Sequence, residues 1–268
     1  MTRGCDETCR LIGGFDRWQT PLALPLPGAF QPKSLRRNIM APSLDELIAG
    51  SEQLGLAYRG TFHPAPEDGV PSLDDGSPTA TIVLLGWTGS VQWAVFAASP
   101  EASDGFPDPL NRWSKRVIDG MATEVGGAAF YPFDGPPWHD FQRWALKAEP
   151  VYRSPLGMLI HPKWGLWHSY RGALGLCDRL DLPPRQSAAH PCENCHDQPC
   201  LSACPVSAFA PGRPYDTTAC RNYLMEGTAD CLTRACAARR ACPIAPEMRY
   251  VEPQAAFHMR AFLGSRLG

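Results

Sequence analysis

The chain has no long apolar run and an almost balanced charge. A run of about 18 apolar residues, which a transmembrane helix needs, occurs nowhere in its 268 residues, so we expect no membrane partner. Its 25 basic and 27 acidic residues leave a net charge of −2, which gives no electrostatic footprint for nucleic acid. Only four basic residues are lysine, a bias that we ascribe to genomic base composition.

A secretory signal is also missing from the start of the sequence. The first residues, Met1 to Asp6, are polar and carry no apolar h-region. We therefore predict a cytoplasmic protein. In that reducing compartment, grouped cysteines are metal ligands more often than disulfides.

Length and composition predict more than one domain. A chain of 268 residues exceeds the usual size of a single domain, and a hydrophobic content of 44% suffices for a substantial core. Residues 1–39 are rich in proline and show no sustained hydrophobic period, so we predict a disordered extension in which Cys5 and Cys9 are free thiols. Translation could also begin at Met40, which would make this extension an overlong reading of the gene.

The rest of the sequence predicts a layered domain, a cysteine domain and a tail. Helical and β patterns alternate in residues 40–185, which is typical of an α/β or α+β fold. The cysteine-rich domain covers residues 186–248, and residues 249–268 are predicted to pack back on the body. The individual predictions are a helix capped by Ser43 and Glu46, strands at 56–62, 79–86 and 128–133, helices at 108–126 and 138–148, a hairpin of 157–161 with 165–176, and tail contacts through Phe257, Met259 and Phe262.

Eight of the 11 cysteines lie in two runs that each close on a Cys-Pro pair. The runs are Cys192-x2-Cys195-x4-Cys200-x3-Cys204-Pro205, and Cys220 followed by Cys231-x4-Cys236-x5-Cys242-Pro243. In the bacterial pattern C-x2-C-x2-C-x3-C-P, the fourth cysteine binds the other of two iron–sulfur clusters. We therefore predict two [4Fe–4S] clusters with crossed ligands. One cluster takes Cys192, Cys195, Cys200 and Cys242, and the other takes Cys204, Cys220, Cys231 and Cys236.

Zinc is an alternative use of the same thiols. Zinc also takes four thiolates, and C-x2-C spacing suits it. The Cys-Pro pairs favour clusters, because a zinc ribbon has no role for them, whereas the x4 and x5 spacings exceed those of the ferredoxin pattern. Zinc sites and disulfides therefore remain alternatives to iron–sulfur clusters.

Residues 192–243 resemble the ferredoxin module of epoxyqueuosine reductases and corrinoid reductive dehalogenases. All eight cysteines have a counterpart there, and so has the stretch 220–224 between the two runs. Upstream, residues 116–118, 126–127, 131–134 and 142–148 look like successive segments of the domain that holds cobalamin in those enzymes. Residues 157–167, 170–172 and 181–185 are similar to the CblC-type cobalamin-processing protein, whose fold is that of flavin-dependent nitroreductases. The resemblances imply a nitroreductase-like layered domain followed by a ferredoxin-like two-cluster domain.

Three candidate site residues follow from these resemblances. Arg171 matches an arginine that lines the cofactor and thiol-substrate pocket of the CblC family, although it could equally be a strand-end arginine paired with a carboxylate. Asp134 lies one position from the aspartate that donates a proton in epoxyqueuosine reductases, and its alternative is a turn residue. His161 belongs to a matching His-Pro pair, and its alternative role is structural. The helix before Gly126 has no histidine where the CblC family places the one that approaches cobalt.

The aromatic residues of this region have two interpretations. They could form the wall of a pocket for a planar cofactor, or they could fill the core of the layered domain, which the helical periodicity favours. These residues are Trp138, Phe141, Trp144, Trp164, Trp167 and Tyr170.

Together, these features predict an iron–sulfur redox protein. Its two clusters would pass electrons to a cofactor, either a corrinoid (cobalamin) or a flavin, or to a small-molecule substrate in the first domain. That would make it an oxidoreductase of the epoxyqueuosine reductase, dehalogenase or corrin-reducing kind. The alternatives are a ferredoxin-like carrier that docks a redox partner protein, with no cofactor in the first domain, and a zinc protein. A tRNA substrate is not expected, because no helical-repeat domain follows the cysteines.

Overall fold

The computed structural model describes residues 42–227 and 229–264, which belong to one compact unit, Met40–Gly268. The predicted extension 1–39 with Cys5 and Cys9, the alternative start at Met40, and the last four residues of the tail lie outside the described residues. The described part mixes helices and strands, so the fold is α+β. No helix in this part combines the length and the apolar character that crossing a bilayer requires.

Short strands and helices alternate along the first two thirds of the chain, and short helices follow. The strands are β1 (Ala57–Phe62), β2 (Thr81–Thr88), β3 (Ala128–Phe130), β4 (Tyr152–Arg153), β5 (Leu159–Ile160) and β6 (His168–Leu176). The helices are α1 (Leu44–Gln53), α2 (Trp93–Ala97), α3 (Pro109–Val125), α4 (Phe141–Ala148), α5 (Pro199–Ser202), α6 (Thr217–Met225), α7 (Cys231–Arg234), α8 (Ala237–Arg240) and α9 (Glu252–Gly264), with short 3-10 turns at Pro66–Asp68, Pro100–Ala102 and Pro246–Met248.

A four-stranded antiparallel sheet of order β1-β2-β6-β3 lies at the centre. Every residue of β2 is buried. Val83, Leu85 and Trp87 of this strand pack in the core that contains α3, while Ile82 and Leu84 pack in the core that contains α4. A strand covered on both faces is apolar throughout rather than alternating, which is why the sequence predicts β2 as a central strand.

The helix boundaries follow from capping interactions. The Ser43 hydroxyl accepts a hydrogen bond from the Glu46 amide, and the Glu46 carboxylate accepts one from the Ser43 amide, which confirms the predicted capping box of α1. Helix α3 begins at Pro109 and ends before Gly126, whose φ of +64° is the left-handed conformation that favours glycine. The side chain of Asp108, which precedes α3, makes no capping bond.

Three elements differ from their predicted extent. Strand β3 ends at Phe130, and the chain continues in turns rather than as a strand to residue 133. Helix α4 begins at Phe141 rather than 138, because the Asp140 carboxylate caps it by accepting from the Arg143 amide at 3.0 Å. The predicted hairpin of 157–161 with 165–176 is reduced to a bridge between His161 and Gly165, since β5 pairs with β4.

Strand β6 takes a different partner from the one predicted. It pairs with β2 on one side and β3 on the other, in the middle of the sheet. Its apolar residues, such as Ala173 and Leu174, are fully buried there. Burial on both faces of the central sheet outweighs pairing with the nearest segment in the sequence.

The cysteine segment packs directly on the chain between β4 and β6. Leu156, Ile160 and Leu166 share an apolar cluster with Phe209 and Ala238 of that segment. Helix α9 packs on α2 and on helices of the cysteine segment. Its Phe257 ring lies 5.5 Å from the ring of Trp93 and 5.3 Å from that of Phe96, and its Met259 and Phe262 pack beside Leu224.

Candidate functional site

Two cavities are lined by cysteines, and each takes its four from one of the predicted sets. The first cysteine cavity is lined by Cys192, Cys195, Cys200 and Cys242, together with apolar residues such as Ile160 and Ile244. The second cysteine cavity, of about 450 Å³, is lined by Cys204, Cys220, Cys231 and Cys236. The chain folds so that Cys242 joins the first run, although Cys231 and Cys236 are nearer to it in sequence.

Backbone N–H groups point at several of these sulfurs. The amide of Ala208 donates to Cys204 Sγ at 3.3 Å. Backbone amides also donate to Cys231, Cys236 and Cys242, and the first turn of α8 supplies the one for Cys231. Such donors stabilise negative charge on sulfur, which a cluster or a thiolate carries.

Burial makes several of the cysteine thiols weak acids in the absence of a metal. It raises the pKa of Cys192 to about 11 and raises the pKa of Cys236 as well. Binding of a metal must therefore displace protons from the thiols. As donor sets, four thiols around an apolar cavity match what a [4Fe–4S] cluster takes.

Within 42–227 and 229–264, no three His, Cys, Asp or Glu side chains are arranged to hold one ion. One further described cysteine, Cys177, belongs to neither set. Its half-buried sulfur lies 3.7 Å from the Asp178 carboxylate.

A buried ionic cluster lies on the α4 side of the sheet. Arg59, which is fully buried, binds Glu149 through two hydrogen bonds of 2.6 and 3.3 Å. It also donates to the carbonyls of Trp87 and Ser169 and to the ring of His168. Burial raises the pKa of Glu149, while the neighbouring Arg59 opposes that shift.

The ring of His168 is held in one tautomer. The Arg59 guanidinium only donates, so the Nδ1 atom of His168, 3.0 Å away, accepts. Nε2 then carries the proton and donates to the Leu159 carbonyl at 2.9 Å. Burial and the nearby guanidinium lower the pKa of His168 well below its usual value, so the ring stays neutral.

The cluster continues to Tyr170, Trp164 and His161. The Tyr170 hydroxyl donates to the Glu149 carboxylate. The guanidinium of Arg59 lies 4.4 Å from the ring centre of Trp164, and the His161 ring stacks on the same indole at 3.9 Å. Burial lowers the pKa of His161 to about 4, so its ring is neutral at pH 7.

Beside this ionic cluster lies a large cavity of about 850 Å³. The edge strand β1, the turn after α4 and the chain around residues 182–186 form its walls. His161 and Trp164 line it, as do the cations Lys163 and Arg185. The cavity is large enough for a small organic molecule.

The large cavity and the first cysteine cavity are close neighbours. Ile160 lines the cysteine cavity and the next residue, His161, lines the large one. The turn between His161 and Gly165 also rests on the cysteine segment, since a Cβ atom at Gly165 would lie 2.3 Å from the carbonyl oxygen of Ile244. The linings of the two cavities are therefore contiguous along the chain at Ile160 and His161.

The three site residues predicted upstream of the cysteines do not share a cavity. Only His161 lines the large cavity. Asp134 pairs with Lys115 of α3 at 2.8 Å and is 43% exposed. Arg171 also faces α3, where it donates to Ser114 and Asn111.

Alternation along β6 explains this separation. Tyr170 reaches Glu149 on the α4 side, so the next residue, Arg171, points to the α3 side. Burial lowers the pKa of Arg171 to about 10. Arg171 thus lies inside β6 rather than at its end, and it is bound by neutral polar groups rather than by the carboxylate of its alternative interpretation.

The aromatic residues divide between the core, the surface, the large cavity and the buried ionic cluster. Phe141, Trp144 and Trp167 are buried in the core. Trp138 is 64% exposed. Trp164 lines the large cavity, and Tyr170 belongs to the buried ionic cluster.

Sequence reasoning missed Arg59, Glu149 and His168. Arg59 stands inside a predicted strand, where a charged residue among apolar neighbours is a signal of a buried ion pair. Its partner Glu149 is 90 positions away, and nothing in a single sequence identifies it.

No protein-family model matches the chain, and no curated protein shows a significant match to it.

Proposed function

We propose that the chain is an iron–sulfur redox protein that binds two [4Fe–4S] clusters in a ferredoxin-like domain, which follows a nitroreductase-like layered domain. One observation carries the proposal. The two sets of four thiols expected from the spacing each line their own cavity, including the distant Cys242 in the first set. The apolar lining and the N–H donors to sulfur add support, because both are features that tune cluster potentials.

The chemistry is one-electron transfer. When bound, each cluster accepts and releases one electron, at a potential between roughly −700 and +450 mV. The residues of this chain hold the iron through thiolates, exclude water from the cavities and donate hydrogen bonds to sulfur. Once the thiols have lost their protons to bind iron, electron transfer requires no further proton from these residues.

The large cavity is the proposed site of the electron acceptor. Its lining begins one residue after that of the first cysteine cavity, which supports a short path from the first cluster. Lys163 and Arg185 contribute positive charge to the lining of this cavity, and Trp164 contributes an aromatic surface. The lining therefore favours an electron acceptor that has an acidic group and an apolar part.

A corrinoid is not supported by the residues that the resemblance implied. Asp134 and Arg171 lie on the α3 side, away from the large cavity. His161 does line the cavity, but its Nδ1 accepts from the Lys163 amide at 3.0 Å. We therefore assign no step to a corrinoid.

Iron and sulfide analysis tests the clusters. Protein purified and reconstituted without oxygen should contain about eight iron and eight sulfide per chain and absorb near 400 nm. Cys204→Ser should halve the iron, whereas Cys177→Ser, a matched control outside both sets, should retain it. A colourless protein with stoichiometric zinc would establish the zinc alternative instead.

Single and double variants test the crossed assignment. Cys192→Ser and Cys242→Ser should each lose about four iron, and the double variant should lose no more, because both residues hold the same cluster. If Cys242 instead belonged with Cys231 and Cys236, the double variant would lose all eight.

Ligand titration tests the acceptor cavity. Cobalamin, FMN and a set of carboxylated aromatic compounds are added to the anaerobic protein, and visible absorbance is recorded. Binding that is lost in Trp164→Ala and retained in Asp134→Asn supports a site in the large cavity. Binding that depends on Asp134 and not on Trp164 would place the site on the α3 side.

The second candidate is an electron carrier that docks a partner protein and holds nothing in the layered domain. The dispersal of Asp134, Arg171 and His161 favours it. Absence of binding by every compound in the titration, with eight iron present, would select this function.

A further inference from the structure

A basic pocket of about 420 Å³ lies on the surface of the cysteine segment. Its lining contains three arginines, Arg234, Arg240 and Arg249, and one acidic residue, Glu252. The sequence concentrates positive charge here, since residues 231–249 contain four arginines and one acidic residue, whereas the whole chain has a net charge of −2. The basic pocket is therefore a local positive region on a weakly acidic protein.

Neutral acceptors orient two of these guanidinium groups. Arg249 donates to the Arg240 carbonyl at 2.6 Å, and Arg240 donates to the Ala235 carbonyl at 3.2 Å. A carbonyl oxygen holds a guanidinium without cancelling its charge. Asp230 offsets part of the charge, because its carboxylate lies 2.6 Å from Arg240 and 3.8 Å from Arg234. Three guanidinium groups still outnumber the two carboxylates, so the pocket keeps a net positive charge.

The basic pocket adjoins the cysteine cavities and not the large cavity. It shares Ala237 and Tyr250 with the second cysteine cavity. Ala241 of its lining directly precedes Cys242 of the first set. Among the described residues, none lines both the basic pocket and the large cavity. A molecule bound at the basic pocket would thus contact the cysteine segment while the large cavity stays open to an acceptor.

The chemistry of the clusters restricts the kind of electron donor. A [4Fe–4S] cluster accepts one electron and no hydride, whereas a nicotinamide releases two electrons as a hydride. A direct donor must therefore carry single electrons, as an iron–sulfur or flavin protein does. Opposite charge on two proteins speeds their encounter by about 10- to 1,000-fold, so a positive docking site favours a donor with an acidic surface.

We propose that the basic pocket is the docking site of an acidic one-electron carrier protein that reduces the clusters. The inference rests on the proposed function, because a chain without clusters has no group to accept the electron. In each transfer the carrier loses one electron and a cluster gains it, and no bond forms or breaks. Acidic side chains of the carrier pair with Arg234 and Arg249, the more exposed arginines of the pocket.

Anaerobic rapid mixing with a reduced plant-type [2Fe–2S] ferredoxin, an acidic carrier, tests the proposal on the full chain with both clusters. EPR of samples frozen at successive times follows the ferredoxin signal as it falls and the [4Fe–4S] signals as they rise. The second-order rate constant should fall about tenfold between roughly 20 and 500 mM salt, because salt screens the attraction. At low salt, Arg234→Gln/Arg249→Gln should lower it about fivefold.

Two controls separate docking from a general loss of charge or of clusters. Arg143→Gln removes an arginine of α4 that is similarly exposed and also pairs with a nearby carboxylate, Asp140 at 3.4 Å. It should leave the rate constant in place. Reduced methyl viologen, a small cation that needs no docking site, should reduce the clusters of Arg234→Gln/Arg249→Gln at least as fast as those of the wild type.

The inference is overturned if the ferredoxin rate constant does not respond to salt, or if it is the same in Arg234→Gln/Arg249→Gln and in Arg143→Gln. Clusters that methyl viologen reduces and ferredoxin does not would also overturn it. So would reduction by NADPH alone that is lost in the double variant, because the pocket would then hold a dinucleotide phosphate rather than a protein. A wild-type protein without iron would instead refute the proposed function itself.

Discussion

Gly165 packs on the carbonyl oxygen of Ile244 so closely that a Cβ atom at this glycine would lie 2.3 Å from that oxygen. The glycine closes the turn after His161, and the isoleucine follows Cys242-Pro243. The turn after His161 and the cysteine segment are thus in direct backbone contact. Any side chain at this glycine would force the cysteine segment away from the layered domain.

Gly165→Ala should therefore destabilise the protein. The φ of +56° costs alanine about 1 kcal/mol, and the clash with a backbone atom adds roughly 2 kcal/mol. Gly69→Ala is the matched control, because its φ of +61° is nearly the same and nothing lies within 4 Å of its Cβ position. Urea denaturation of both variants should give a loss for Gly165→Ala that exceeds the control by about 2 kcal/mol; equal losses would mean that the turn moves freely.

Arg59→Met should lower the free energy of unfolding far more than the substitution of an exposed arginine. It leaves the carboxylate of Glu149 buried without its cation, which costs about 3–5 kcal/mol. Arg112→Met removes a solvent-screened surface pair with Asp104, so its effect on stability should be much smaller. The double variant Arg59→Met/Glu149→Gln should recover part of the loss, as measured by chemical denaturation.

Stability should fall as the pH falls from about 7 towards 5. The pKa of His161 is lowered to about 4 in the folded protein and is near 6.5 when unfolded, so the unfolded chain binds a proton that the folded one does not. The contribution of His161 is thus fully present above pH 6.5 and is lost as the pH approaches 4.

The slope for His161 is isolated by subtraction. Glu149, whose pKa is raised by burial, acts in the opposite direction, so the wild type is compared with His161→Gln at each pH. Between pH 7.5 and 5.5 the free energy of unfolding should fall more steeply in the wild type, by on the order of 1 kcal/mol. Parallel curves would show that His161 takes up its proton without unfolding.

Asp134→Asn should have little effect on folding. Its pair with Lys115 is exposed by more than 40% on both sides, and such pairs contribute less than about 1 kcal/mol. Arg171→Met should cost about 1–3 kcal/mol, since Ser114 and Asn111 lose the partner that satisfies them inside the protein. Thermal denaturation of the two variants distinguishes a surface pair from a buried anchor, and similar losses would contradict this ranking.

Local signals in the sequence predicted the local structure well. The capping box at Ser43, the continuous apolar run of β2 and the glycine after α3 each encode a boundary or a buried strand within a few residues. The predicted hairpin failed because β6 finds both its partners far away in sequence. Short-range pattern cannot show which distant strand offers the better burial.

The candidate site shows the same difference between what the sequence predicted and what it did not. The cysteine spacing predicted which four thiols share a cavity, because the bacterial pattern assigns the last cysteine of each run to the other set of ligands. The residues carried over from family resemblance did not converge, since Asp134 follows β3, His161 follows β5 and only Arg171 lies on β6, where it faces α3. Register along a strand, not residue type, separates Tyr170 from Arg171.

The exposed loop at residues 211–216 joins the two cysteine runs. With crossed ligands, both clusters bridge this loop, one through Cys242 and the other through Cys204. An engineered protease site at Gly212 would then yield two fragments that separate less readily with iron bound than after a chelator removes it, because the clusters add to the packing of Ala238 and Phe257 on the first fragment. The clusters would act as reversible staples across a cut chain, so the loop itself is dispensable to the assembled protein.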